Sequence, residues 1–362
     1  MNTVFILGAG ASKQAGAPLM ADFLDRASTL HRSNATAGNN KAQAAFKDVF
    51  NAISELQGIY AKSYLDIDNI ETLFGAIEMA QIINKFGRRE QVSIAKLRNS
   101  IITLIVHTLE LSIHFPASDG HIYPPPPYND FVDMVYYLSE HQYQSHEPLF
   151  SFITFNYDLA LDYALHHQAK LGFDYWLSED ADRRKPPYLK LHGSINWGVC
   201  QECKKIIPRS FSETRFDPFL LRRRDYFIYS LGSKISEAQH CGKPLKSPPV
   251  LVPPTWNKTG YHQDLTCVWS KAAEVLAEAE NIFVIGYSLP ETDSFFRYLF
   301  ALGSESDTRI KRLWVFNPDE TIESRFDDMI GRGIKNRFRF FGGTAGRFDQ
   351  AIPIILDELR RA

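Results

Sequence analysis

The side chains best placed to do chemistry lie between residues 152 and 197. FITFNYD (Phe152 to Asp158) ends an apolar segment with Asn156 and Asp158, and LKLHGSINW (Leu189 to Trp197) sets His192 just past a second one. A carboxamide can hold a hydroxyl or a water by hydrogen bonds, and a carboxylate can brace a loop or complement developing positive charge. A neutral imidazole can take a proton, because its pKa lies near operating pH. Each has a plainer alternative. Asn156 suits a turn, Asp158 suits the N-cap of a helix opening at Leu159, and His192 could be a buried, satisfied imidazole. As residues on strand rims, Asn156 and His192 should be removable with little loss of stability.

Two further segments repeat the pattern of an apolar strand followed by glycine: VFILGAGAS (Val4 to Ser12) and NIFVIGYSLPETD (Asn281 to Asp293). Gly8 and Gly10 sit between a strand and a helix, where a tight turn lets backbone approach a pyrophosphate and offer it helix N-terminal amides. The full dinucleotide fingerprint is absent, because Lys13 stands at the third glycine position and no acidic residue follows about twenty positions on. A plain glycine-rich turn is the alternative. Asp293 and Arg297, four apart on the next helix, read as an i,i+4 ion pair. Four polar rims on apolar strands suggest a nucleotide site. Cys200 and Cys203 have the C-x-x-C spacing at which two thiolates bite one metal, with Cys241 and the adjacent His240 as the available partners; Cys267 is expected in the core.

The elements that must position these residues follow from periodicity. Strands are expected at Val4 to Leu7, Phe150 to Phe155, Ile282 to Ile285, Leu313 to Phe316 and Arg337 to Phe341. Helices are expected at Pro18 to Leu30, Leu159 to His167, Lys271 to Glu280, Ser294 to Leu302 and Arg347 to Leu359. Such alternation argues for a doubly wound parallel sheet in an α/β fold. Ser33 to Lys41 is polar and reads as a mobile loop or lid. Residues 42–128 interrupt the alternation: Phe46, Val49, Phe50, Ile53 and Leu56, then Ile70, Leu73, Phe74 and Ile77, then Leu97, Ile101, Leu104 and Ile105 recur at helical spacing. This is an inserted helical module, closed by the spacer YPPPPY (Tyr123 to Tyr128). Residues 198–246 form a small cysteine-containing excursion. The whole, 1–362, reads as one domain.

The chain has 362 residues, a formal net charge of −2, 44% hydrophobic and 23% charged residues. That is ordinary for a globular protein with an ample core, and it offers no electrostatic ground for nucleic-acid binding. Arg222, Arg223 and Arg224 read as solvated loop charges. VFIL is followed at once by Gly8, which does not make a signal peptide, and the longest apolar stretch, Ile101 to Ile113, contains His107 and Glu110 and is too short to span a bilayer. Four cysteines fit a reducing compartment. The expectation is a cytoplasmic protein.

In their order, these motifs resemble the sirtuin family, which carries GAG-x-S, an Asn and Asp on a strand-loop, a His-Gly-Ser and a later Gly-x-Ser. TFNYD, LHGSINW and GYSLPETD followed by RYLF (Arg297 to Phe300) are more similar to the sirtuin-like NAD hydrolases of bacterial antiphage defence than to the protein deacylases. The resemblance implies a Rossmann-like fold with NAD as substrate, cleaved to nicotinamide and ADP-ribose, and a cellular role in depleting NAD. It makes Asn156 and His192 catalytic, with Asp158 in support. Gly8, Ala9, Gly10, Ser12, Gly16 and Pro18 match GAG-x-S-x-x-x-G-x-P and are implied cofactor contacts. Gly286 and Ser288 are implied near the ribose and phosphate, and Asn317 near the adenosine. Sirtuins have a second cysteine pair that is incomplete here. The expectation is therefore a metal-free remnant, with a structural zinc held by Cys200, Cys203, Cys241 and His240 as the alternative.

Two other functions stay open. A protein deacylase needs a groove beside an intact zinc module, which the helical insertion and weakened ribbon argue against. A silent NAD or ADP-ribose sensor would need neither Asn156 nor His192. Because the segment from Asp319 to Ala362 leaves no room for a sensor domain, control is expected from a homo-oligomer, the helical module or a partner such as a ring-forming ATPase. Contact faces are expected at Phe46 to Leu56 or Leu97 to Ile105, unless these lie in the chain's own core.

Overall fold

The computed structural model describes residues 2–361 apart from 59–64, 88, 143–147, 169, 215, 218–220, 253–258 and 304–307. Its centre is a six-stranded parallel sheet of β1 (Thr3–Leu7), β2 (Phe150–Thr154), β3 (Tyr188–Lys190), β4 (Asn281–Ile285), β5 (Arg312–Phe316) and β6 (Phe338–Phe341), in the order β6-β5-β4-β1-β2-β3. All neighbours run parallel, and the order reverses between β1 and β4. This is the doubly wound arrangement, whose ligand crevice opens beyond the strand C-termini at the reversal.

The central strands are buried along their whole length and apolar on both faces, as a parallel sheet covered by helices requires. One face is aromatic: Phe5 stacks at 5.7–6.0 Å on Phe150, Phe152 and Phe283 and meets Phe131 edge-on at 4.9 Å. Phe131 comes from the helix Tyr128–Gln142, which follows the proline tract, and helix Phe348–Arg360 completes that layer. The other face is aliphatic, with Val4, Ile6, Ile153 and Val284 packed under the helices Thr259–Ala277 and Ser294–Gly303.

Between the glycine turn after β1 and the helix Tyr128–Gln142 stand four longer helices, Phe23–Arg32, Asn40–Gln57, Ile70–Ile83 and Gln91–Ser112. They share one core, and Phe46, Val49, Leu97, Ile101 and Leu104 are fully buried in it. The faces expected to mediate self-association are thus turned into the chain's own interior. The core is continuous with Tyr157, Leu159 and Ile195, so the helices press directly on the loops that carry Asn156 and His192. The first of these four helices opens at Phe23, five residues later than expected, because 18–19 have no regular structure and 20–22 form a turn. The segment after it is not an open loop either: 33–38 make close turns, Thr36 is buried, and Asn39 caps the next helix by accepting from the Ala42 amide at 3.0 Å.

The cysteine-containing excursion folds into a four-stranded antiparallel sheet of Ile206–Pro208, Trp197–Cys200, Lys243–Lys246 and Gln239–His240, in that order. No helix among the described residues is long and apolar enough to cross a membrane.

Candidate active site

Each motif residue falls one or two positions past a strand end, which brings them to one edge of the sheet. Gly8 follows β1, Asn156 follows β2, His192 follows β3, Gly286 follows β4 and Asn317 follows β5. The two glycine turns are packed against each other. The Gly8 amide donates to the Ile285 carbonyl at 3.0 Å and the Gly10 amide to the Gly286 carbonyl at 2.8 Å. A Cβ on Gly8 would lie 2.5 Å from the Tyr287 Cα, and one on Gly10 would lie 2.8 Å from the Gly286 oxygen. Gly286 itself has φ +64° and sits against Ala11 N at 2.2 Å from its would-be Cβ. Glycine is required here by turn-on-turn packing, and these two amides are already committed to protein carbonyls. The turn leads first into a single helical turn, Ala9–Ser12, and the longer helix expected from Pro18 follows at Phe23.

Asn156 is the hub. Its Nδ2 donates to the Gly8 carbonyl at 2.9 Å and to Ser12 Oγ at 3.0 Å. A carbonyl acceptor fixes the amide orientation, so Oδ1 is the atom left to accept from a ligand hydroxyl or water. Ser12 is fully buried and donates to Asp158 Oδ2 at 2.7 Å. With its single proton so placed, it accepts from the Tyr128 hydroxyl, also at 2.7 Å. Ser12 therefore braces Asn156 from beneath. Asp158 also accepts from the Ala160 amide at 2.9 Å; the helix opens at Ala160 with Leu159 as its N-cap, so Asp158 stands one residue before the expected capping position, and its bond serves the same brace. Burial pushes the Asp158 carboxyl up, against the nearby Lys190 charge.

His192 is buried rather than exposed on a rim, only 4% accessible. Its Nε2 lies 3.1 Å from Asp293 Oδ1, and Asp293 accepts from the Tyr287 hydroxyl at 3.0 Å. Asp293 thus meets His192 and Tyr287. The imidazole is walled edge-on by Phe155 at 5.2 Å, and Phe155 stacks on Tyr287 at 4.2 Å. Carboxylate and aromatic walls together set the ring's orientation.

A fully buried ion pair supports the same loop. Lys190 Nζ contacts Asp162 Oδ2 at 2.8 Å, both side chains being 0% exposed, and donates to the Asp158 carbonyl at 2.6 Å. Tyr175 and Tyr188 hydroxyls donate to the Asp162 oxygens at 2.6 and 2.8 Å. Such satisfaction is what allows charge inside a core. The sequence does carry a signal for this: a lysine between Leu189 and Leu191 in an apolar strand needs a buried partner. Tyr128, the end of a tract read as a spacer, carries no comparable signal.

Around Asn156 two spaces meet. An outer cleft of about 1220 Å³, open to solvent, is lined by Ala9, Gly10, His192, Gly286, Ser288, Asp293 and Asn317 among others. An inner chamber is walled by Pro18, Phe23, Ile70, Phe74, Ile105 and Leu109, with Ser12, Asn156 and Asp158 also lining it. The helices thus supply the apolar wall. Asn317 is 8% exposed; its Oδ1 accepts from the Asp319 amide at 3.0 Å and its Nδ2 donates to the Tyr287 carbonyl at 3.4 Å. Gly16 lies outside both spaces and takes φ +100° against the Ser112 carbonyl. Arg325 lines the cleft and donates to the Ser288 carbonyl at 3.2 Å; it is a cation at the site that no motif marks.

Away from the cleft, the ligand atoms of Cys200, Cys203, His240 and Cys241 lie within 4.8 Å of one another. His240 Nδ1 is 3.5 Å from Cys203 Sγ and 3.3 Å from Cys241 Sγ. Structural zinc sites take four such ligands, thiolate or imidazole, so three thiols and one imidazole gathered within 4.8 Å fit the ion in number and chemistry. The antiparallel pairing of Lys243–Lys246 with Gln239–His240 brings in the partners that spacing alone left doubtful.

Solved structures resemble the chain at low identity. A Sir2 homologue in complex with ADP-ribose is 13% identical, with 99% of this chain and 92% of that one covered and a TM-score of 0.43. A Sir2 homologue in complex with NAD is 15% identical, with 99% and 90% covered and a TM-score of 0.42. Sir2Tm bound to a propionylated peptide is 13% identical, with 100% and 94% covered and a TM-score of 0.39. No curated protein matches the chain. Residues 151–330, the stretch that carries Asn156, His192, Asp293 and Asn317, match the family model of the SIR2-like domain.

Proposed function

We propose that this protein is an NAD hydrolase that releases nicotinamide and leaves ADP-ribose. The observation that carries this reading is the meeting of an apolar chamber and a polar cleft at Asn156, within the stretch that matches the SIR2-like domain. The chamber suits an uncharged nicotinamide ring, and the cleft suits ribose and phosphates. Water bonds to C1′ while the bond to the ring nitrogen breaks, the electron pair stays with the ring, and the water's proton leaves.

Asn156 Oδ1 accepts from the ribose or the water and orients it. His192, held by Asp293, takes the proton. Asp158 acts through Ser12 to keep Asn156 in place. Ala9, Gly10, Pro18, Gly286, Ser288 and Asn317 shape the walls, while Gly8, Ser12 and Gly16 hold the turns that form them. Arg325 is the cation available to a phosphate. Within one sirtuin-like domain spanning 1–362, the module at 42–128 closes the chamber, and in the module at 198–246 Cys200, Cys203, Cys241 and His240 would hold a zinc ion. That ion would supply structural cross-linking and no chemistry to the cleft.

The motif details TFNYD, LHGSINW and GYSLPETD support a cytoplasmic antiphage-defence role, in which the chain works as an oligomer with a partner such as a ring-forming ATPase. The test is direct. Purified protein incubated with NAD, alone and with neighbouring gene products, should release nicotinamide, and Asn156→Ala should slow release by about 10²-fold or more. Tight NAD binding with no release under any of these conditions would overturn hydrolysis in favour of a sensor.

A further inference from the structure

We infer that Glu71, supplied by the helix Ile70–Ile83 and not by the nucleotide-binding sheet, is a further catalytic residue that faces the scissile glycosidic bond and stabilises the positive charge developing on the ribose. The inference rests on the NAD-cleaving reading given above. Six residues line both the inner chamber and the outer cleft: Ala9, Met20, Glu71, Phe155, Asn156 and Tyr157. A substrate with its ring in the chamber and its ribose in the cleft must pass its connecting bond through this ring of residues. Of the six, Glu71 alone has an acidic carboxyl group. Asn156 is neutral, and the Tyr157 hydroxyl donates to the Val252 carbonyl at 2.7 Å.

The other carboxylates around the two spaces each line only one of them, Asp158 the chamber and Asp293 and Asp319 the cleft. Asp158 binds Ser12 and the Ala160 amide, Asp293 meets His192 and Tyr287, and Asp319 caps Thr321. Glu71 is also held in place. Its amide is capped by Asn69 Oδ1 at 2.8 Å, and its neighbours Ile70 and Phe74 are 3% and 1% exposed in the helical core. Its charge is felt within the cleft: the Tyr287 phenol is pushed up by burial first and by Asp293, with Glu71 contributing in the same direction.

The chemistry needs an anion there. As the bond from C1′ to the ring nitrogen breaks, the electron pair goes to the ring. Positive charge moves from the pyridinium to C1′ and its ring oxygen. The departing ring, now neutral, is favoured by the apolar chamber, and the new cation stands beside a carboxylate. Water then bonds to C1′ and its proton leaves through His192, which balances the step.

The experiment compares wild type, Glu71→Gln and Glu71→Asp in nicotinamide release, with KM, kcat and melting temperature measured for each. Glu71→Gln should lower kcat by about 10²-fold with KM within threefold and the melting temperature unchanged, and Glu71→Asp should recover part of the loss. A Glu71→Gln enzyme that turns over within threefold of an active wild type overturns this inference and leaves NAD hydrolysis standing. A loss in kcat that only tracks a fall in melting temperature, with no recovery in Glu71→Asp, overturns it as well. A wild type that releases no nicotinamide fails the hydrolase reading itself, and the inference with it.

Discussion

His192 Nε2 and Asp293 Oδ1 stand 3.1 Å apart, although one residue follows the edge strand β3 and the other follows β4, on opposite sides of the point where strand order reverses. The pair therefore ties the two halves of the sheet together across the cleft. Asp293→Asn keeps the shape and removes the charge. It should lower the rate of nicotinamide release by about 10- to 100-fold, the usual effect of removing an orienting partner. His192→Ala should lose activity and also melt at a lower temperature, because the ring is buried against Phe155. An Asp293→Asn variant with wild-type turnover would remove the carboxylate from the mechanism.

Gly10 is a test of what the glycine turns are for. A side chain there would meet the Gly286 oxygen at 2.8 Å and the Gly286 Cα at 2.9 Å, both backbone atoms that cannot swing away. Gly10→Val should thus destabilise the fold by at least about 2 kcal/mol, as overpacking of a rigid contact does. Thermal melting decides it. A variant melting with wild type and losing only NAD affinity would restore the simpler view in which the turn is shaped for the pyrophosphate alone.

The sheet was legible because its strands are buried on both faces and so read as unbroken apolar runs, and the motif positions were legible because polar residues just past such runs must face an opening. What stayed hidden depends on contacts between distant segments. Asp293 reads locally as a helix residue near Arg297, and only the adjacency of β1 to both halves of the sheet turns it toward His192. Glu71 sits 85 positions before Asn156 in the numbering, on a helix whose own spacing says only that Ile70, Leu73 and Phe74 face a core. The Ser33 to Lys41 segment was misread for the opposite reason. Its polar composition describes the side chains, while its turns are closed by backbone bonds such as the Ala37 amide to the Asn34 carbonyl at 2.9 Å, and Asn39 caps the helix that follows.

The cysteine cluster gives a prediction independent of the cleft. Metal analysis should find about one zinc per chain, because three thiols and one imidazole converge within 4.8 Å of one another. Cys200→Ser should lose that zinc and lower the melting temperature, since Cys200 is buried beside Ile235 and Leu245 in the small module. A protein free of zinc as purified, and unable to take it up after reduction, would return the cluster to a metal-free remnant.

Glu110 makes the stability depend on pH in a way that can be isolated. It lies on the helix Gln91–Ser112, and its Oε1 accepts from the Gly232 and Ser233 amides at 2.7 and 3.1 Å. Burial pushes its carboxyl from 4.5 up to about 7, against those hydrogen bonds and the Arg209 charge. The folded protein therefore keeps a proton that the unfolded chain has released. The resulting stability is fully present below pH 4.5 and is lost as pH rises through 7, a span of about 3 kcal/mol by linkage. His107, on the same helix, acts with the opposite sign. Burial and Lys41 push it from 6.5 down to about 4, so its contribution is present above 6.5 and lost as pH falls through 4. The two overlap, and the wild-type curve alone cannot separate them. Glu110→Gln does so, because it retains an acceptor for both amides and cannot titrate. Denaturant titrations of both proteins at intervals from pH 4.5 to 8 should show the variant gaining on wild type as pH rises to 7, with a constant difference beyond. A difference that stays flat throughout would mean that Glu110 ionises in the folded protein as it does in the unfolded chain.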